Sequence, residues 1–89
     1  MPLCGVMKPD YAQALNQAVA DELRAYRTVA RMTQADVTRI TGISKSKLIK
    51  LEAARIDIGT RDIALYTEAV GAEPQELMQR AQARASSSR

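Results

Sequence analysis

The chain has 89 residues, the length of one small domain, and carries 13 Lys and Arg against 10 Asp and Glu for a net charge of +3. It has no His, no Phe, no Trp and one Cys, Cys4, so neither a zinc site, nor a Cys/His nucleophile pair, nor an intrachain disulfide can be assembled. No acid–base or nucleophile constellation points to an enzyme, and no metal, cofactor or small-molecule ligand is expected. Residues 1 to 8 hold too few apolar side chains for a secretory segment and no run approaches membrane length, so a cytoplasmic setting is expected.

The composition favours helices: Ala, Leu, Arg and Gln are plentiful, and Tyr11, Tyr26 and Tyr66 are the only aromatics. Charge is unevenly spread. Residues 24 to 55 carry eight basic side chains against two acids, net +6, whereas residues 56 to 76 carry one against five, net −4. A chain polarised in this way can turn one face toward a polyanion, although a solvated helix surface accounts equally well for charge alone.

In chain order, residues 1–9 read as a flexible arm, and Asp10 with Gln13 reads as a capping box that opens the first helix. Leu15, Val19, Leu23 and Tyr26 form one apolar stripe along it to about Ala30. Thr33 is placed to cap a second helix, Gln34 to Thr41, with Val37 and Ile40 inward and Gly42 ending it in a left-handed turn. Ile43 plugs that turn. Ser44 caps a third helix from Lys45 to about Ala53, with Leu48 and Leu51 inward and Lys45, Ser46, Ile49 and Lys50 outward. A fourth helix begins near Gly59 or Thr60, buries Ile63, Tyr66 and Val70, and closes at Gly71. Pro74 starts a fifth, with Leu77 and Met78 as its apolar contacts. Residues 10–82 form the expected domain, and residues 83–89 have nothing to bury and read as a disordered tail.

The stretch Thr33-Gln-Ala-Asp-Val-Thr-Arg-Ile-Thr-Gly-Ile-Ser-Lys-Ser-Lys-Leu-Ile-Lys-Leu-Glu52 resembles the helix-turn-helix of Cro and lambda-repressor type proteins, the XRE family. The likeness runs from about Val19 to Leu77. It includes the Thr33-Gln34 opening, the Gly42-Ile43-Ser44 turn, the Leu48 to Glu52 end and Gly71. Three positions depart from the family pattern: Thr38 stands for a small Ala, Ala54 for a common Gly, and no Pro lies near Ile58. The resemblance implies an all-α, lambda-repressor-like bundle of about five helices, similar in scale to small phage immunity repressors.

A braced helix projecting from a compact body suits a duplex major groove, which admits one helix. The resemblance places Lys45, Ser46, Ile49 and Lys50 at positions that approach base edges; for Ile49, packing at the helix edge is an equal reading. Gln34, at the first turn of the second helix, is a candidate phosphate clasp, with Thr33, Lys47 and Arg55 as lesser ones. Arg31 and Arg39 contribute only to the long-range field. Arg27 and Glu52 match positions that resemble a structural ion pair tying the first helix to the end of the third. Cys4 is expected to be inert.

The expected function is sequence-specific binding of double-stranded DNA by a transcriptional regulator, a repressor acting by operator occupancy, with the recognition helix about 45–53 in the major groove. One helix reads too few base pairs to locate a site, so a homodimer is expected, at least on DNA, on a palindromic operator with half-sites about 34 Å apart. Leu77, Met78 and Leu65 near the fifth helix are candidates for the dimer surface. The setting implied is a bacterial cell or a phage-infected host. Two other uses of the fold stay open: an autoregulating antitoxin of a toxin–antitoxin pair, and a protein-interaction module that has lost DNA binding.

Overall fold

Small side chains govern the largest contact in the molecule. The computed structural model describes residues 2–87, with side chains from 11 to 86. It arranges them as α1 (Pro2–Val29), α2 (Gln34–Thr41), α3 (Lys45–Glu52), α4 (Thr60–Val70) and α5 (Pro74–Ser87), with no strand among the described residues. The fold is therefore all-α. α5 packs chiefly along α1, and its inward stripe is Leu77, Ala81 and Ala85, spaced at four and fully buried. They share one core with Ala18, Val19 and Leu23 of α1. Ala on both helices lets the backbones approach, and Arg84 fixes the far end by donating to Glu22 through Nη2 at 2.7 Å and Nε at 3.0 Å.

That stripe corrects the sequence reading at the C-terminal end. α5 continues through Ser87 rather than stopping near Gln82, because Ala81, Ala85 and the Arg84–Glu22 pair give the last turns something to bury and to bond. Ala is too weak a hydrophobe to announce such a stripe, and so the sequence pattern ends at Met78. At the other end α1 runs unbroken from Pro2, so Asp10 does not open a helix and the backbone of most of the expected arm belongs to α1. Met1, Ser88, Arg89 and the side chains of residues 2–10, Cys4 among them, and of Ser87 lie outside the described residues.

The remaining helices close over the α1–α5 pair. Val37 of α2, Leu48 and Leu51 of α3 and Tyr66 of α4 are fully buried in the same core. Ile43 and Ile63 are nearly so. Burial of a Leu- or Val-sized side chain contributes about 1.5 to 3 kcal/mol, so this shared aliphatic centre holds the short helices, which are too brief to persist alone. Ile40 differs from expectation: its side chain is 55% exposed on the outer side of α2. An eight-residue helix makes little more than two turns, and Val37 alone fills its inward position.

The loop after α3 packs Ile56 and Ile58 against the core and is bonded to the body by a side chain of α1. Asn16 on α1 donates from Nδ2 to the Ile56 carbonyl at 2.9 Å, and its Oδ1 accepts from the Ile58 N–H at 3.0 Å. A single amide thus satisfies a backbone acceptor and a backbone donor two residues apart.

Candidate nucleic-acid interface

The two short helices are fixed by their ends. Thr33 caps α2 by accepting from the Asp36 N–H at 3.1 Å, while the Asp36 carboxylate accepts from the Thr33 N–H at 2.9 Å, a reciprocal capping box. The hydrogen bond from the Thr33 backbone, with that from Arg39, holds the Asp36 carboxyl below its ordinary pKa. At the other end Gly42 takes φ +81° and donates its N–H to the Thr38 carbonyl at 2.9 Å. Only Gly enters that left-handed region without steric cost. Thr41 Oγ1 then donates to the Val37 carbonyl at 2.7 Å and accepts from the Ile43 N–H at 3.1 Å, which seats Ile43 in the core. Ser44 starts α3 by accepting from the Lys47 N–H at 3.2 Å.

With Leu48 and Leu51 buried, the helical period leaves one side of α3 in solvent. Lys45, Ser46, Ile49 and Lys50 all lie on it and are all exposed, Ile49 at 47%. Neither Lys45 nor Lys50 forms an ion pair among the described residues. The structure thus brings the four candidate base readers together on one strip of one helix. Lys47 points elsewhere: its Nζ lies 3.2 Å from an oxygen of Asp62 in the first turn of α4. Arg55, in the loop after α3, is exposed.

The carboxylate at the end of α3 ties that helix to three others. Glu52 is 4% exposed. Arg27 on α1 reaches it with Nε at 2.9 Å and Nη2 at 3.2 Å, and Arg27 Nη1 also donates to the Met32 carbonyl at 3.0 Å. Gln34 on α2 donates to Glu52 Oε1 at 3.0 Å, and the Tyr66 hydroxyl on α4 donates to Oε2. Four helices meet at one buried anion. Burial pushes the Glu52 pKa up, but hydrogen bonds from Tyr66, Gln34 and Arg27, with the Arg27 charge, outweigh it and leave the group below its ordinary value. Burial, then the adjacent Glu52 carboxylate, drives the Tyr66 pKa far above that of a free phenol.

This arrangement changes the part open to Gln34. Its side-chain amide is half-buried and committed to Glu52, so a phosphate clasp by that amide nitrogen is not what the structure presents. What stays available at the start of α2 is its backbone N–H, one of the first-turn donors without an intrahelical acceptor. The Thr33 hydroxyl is likewise engaged in the cap. Leu77, a candidate for a dimer surface, is fully buried, and Met78 and Leu65 are partly buried against the core. Sequence reasoning missed Tyr66, Gln34 and Asp62 as partners of Glu52 and Lys47, and Asn16 as the anchor of the loop. The sequence separations of these contacts run from 14 to 42 residues, beyond any local pattern.

The helix-turn-helix domain family matches residues 18–81, nearly three quarters of the chain. No curated protein and no solved structure matches it. Among the described residues no group of His, Cys, Asp and Glu is disposed to hold a metal ion, and no helix is long and apolar enough to cross a membrane.

Proposed function

The chain belongs to the helix-turn-helix domain family, a DNA-binding class, and from that premise we propose that it is a sequence-specific transcriptional regulator of the Cro and lambda-repressor type. It represses by occupying an operator. α3 enters the major groove with Lys45, Ser46, Ile49 and Lys50 toward the base edges. Lys can donate to guanine O6 and N7, Ser can pair with donor or acceptor edges, and Ile49 can rest on a thymine methyl. The N-terminal turn of α2, through the Gln34 backbone N–H, and the Arg55 side chain meet the phosphates on either side. Lys47 is a further phosphate contact only where Asp62 releases it.

One observation carries this reading: a strip of α3 holding an exposed Ile and two cations without an acidic partner among the described residues, backed by a fully buried Leu48 and Leu51. An exposed aliphatic beside unneutralised lysines gains nothing from water, whereas a groove floor offers each of them a partner. Two copies on a palindrome give the reach that one short helix lacks, in keeping with a small phage immunity repressor. The test is selection of bound duplexes from a random pool. Enrichment of an inverted repeat with half-sites about one helical turn apart is expected, and a pool that stays random after repeated rounds overturns the proposal.

A further inference from the structure

Of the three lysines on α3, Lys47 alone is tied to an acid among the described residues, and the acid comes from another helix. Its Nζ lies 3.2 Å from Asp62 Oδ2 and 3.4 Å from Oδ1. The Lys47 side chain is 49% exposed, but Asp62 is only 14% exposed. The carboxylate is therefore held against the body while the ammonium stands at the rim of the strip. We infer that Asp62 occupies the place of a DNA phosphate on Lys47 in the free protein and so sets how strongly the domain binds duplexes regardless of sequence. This rests on the DNA-binding reading above.

The reason is electrostatic. A lysine that neutralises a phosphate releases the counterions condensed on the DNA there, and each such contact steepens the salt dependence of binding by about 0.9 in log–log slope. A lysine already paired to a fixed carboxylate brings that negative charge within a few ångströms of the incoming phosphate, and the pair adds close to nothing. Lys45 and Lys50 keep their full charge for the groove. Asp62 is thus a positioning residue acting through Lys47: it removes one backbone contact from each subunit and leaves the base-reading side chains alone. Its own placement is local, since it lies in the first turn of α4, where a carboxylate is favoured by the helix dipole.

The experiment measures binding to a selected duplex and to a scrambled one over a range of KCl concentrations, for the wild type, Asp62→Asn, Lys47→Ala and the double variant, with Asp62→Ser as a second neutral replacement suited to a helix first turn. Asp62→Asn and Asp62→Ser are expected to tighten both duplexes alike by about two- to fivefold per subunit, the range of an exposed ion pair, and to steepen the slope by about 0.9 per subunit. In the Lys47→Ala background the same replacements are expected to change neither quantity, which separates a local pairing from a general loss of negative charge. Weaker or unaltered binding by both Asp62 variants, or an equal gain without Lys47, overturns the inference while DNA binding stands. A wild type that binds no duplex overturns the DNA-binding reading, and this inference with it.

Discussion

Tyr66 on α4 and Arg27 on α1 donate to the same oxygen of Glu52, Oε2, so the end of α3 is held by a phenol and a guanidinium from two different helices. Loss of any one donor leaves a buried anion less well satisfied, and loss of the anion leaves its donors without their acceptor.

Glu52→Gln removes the charge and turns one acceptor into a donor that must face Arg27, Gln34 or Tyr66. It is expected to lower stability by about 3 to 5 kcal/mol at neutral pH, as for other buried pairs broken on one side. The pH dependence has a definite sign. Glu52 in the folded chain lies below its ordinary 4.5, so its contribution is fully present above that pH and is lost as pH falls through the folded value. Urea unfolding across this range is therefore expected to show a gap between wild type and Glu52→Gln that narrows on the acid side. A gap constant with pH would assign the loss to shape rather than charge.

Tyr66→Phe keeps the ring and deletes only the donor. A hydrogen bond to a charged group contributes about 1.5 to 3 kcal/mol, and a loss in that range is expected, together with an acid transition moved toward higher pH, because Glu52 then gives up one of the bonds that hold its pKa down. An acid transition moved the other way would remove Tyr66 from the set of groups that stabilise the anion.

Thr38 has a hydroxyl buried with no hydrogen-bond partner among the described residues. An orphaned buried hydroxyl costs about 1 to 3 kcal/mol. Thr38→Val preserves the shape and deletes only that group, so the urea midpoint is expected to rise by an amount equivalent to about 1 kcal/mol at unchanged m-value. Thr38→Ala gives a smaller gain, since it also gives up a methyl. A midpoint lowered by both would mean that the hydroxyl is serving the fold.

Much of this was legible before any coordinates. Thr33, Gly42 and Ser44 are local signals, each acting within a few residues, and their pattern places α2, the turn and α3 to within a residue or two of where they are found. Leu48 and Leu51 define one side of α3 and hence, by the helical period, the other. The Arg27–Glu52 contact was reachable only through family likeness, since nothing in residues 27 and 52 by themselves joins them. Its companions Gln34 and Tyr66 read equally well as a surface amide and a core ring. Ala81 and Ala85 escaped because alanine is helix-favouring on any face, so burial of a small-residue stripe leaves no mark in hydrophobic periodicity. Ile40 departs in the other direction: its apolarity on a two-turn helix points to the core, but the core has room there for Val37 alone.

The departure from family pattern at residue 54 has a visible cost. Ala54 follows α3 with φ +58°, the conformation that lets the Arg55 N–H reach the Lys50 carbonyl at 2.9 Å and close the helix. A residue bearing a Cβ is disfavoured there by about 1 to 2 kcal/mol, offset in part by the greater freedom that Gly has in the unfolded chain. Ala54→Gly is accordingly expected to stabilise by about 1 kcal/mol, and Ala54→Val, whose branched side chain tolerates the region least, to destabilise. Thermal melts that rank the three in the reverse order would place residue 54 outside the left-handed region in solution.

The strip of α3 proposed to read bases makes the sharpest division between residues. Among the described residues Lys45 and Lys50 have no acid to release before they bond to a base, so Lys45→Ala and Lys50→Ala are each expected to remove about 1 to 3 kcal/mol of discrimination at one base pair of each half-site while changing binding to scrambled DNA little. Arg55, exposed in the loop beyond α3, belongs to the other class: Arg55→Ala should weaken every duplex alike and flatten the salt slope by about 0.9 per subunit. For a dimer neutralising roughly 6 to 10 phosphates the wild-type slope is expected near −5 to −9. Competition binding against a panel of single-base-pair variants of the selected site separates these outcomes, because a base reader changes the order of affinities and a phosphate contact preserves it. Should all three variants scale every affinity by one common factor, α3 would be adding charge to the complex and reading nothing.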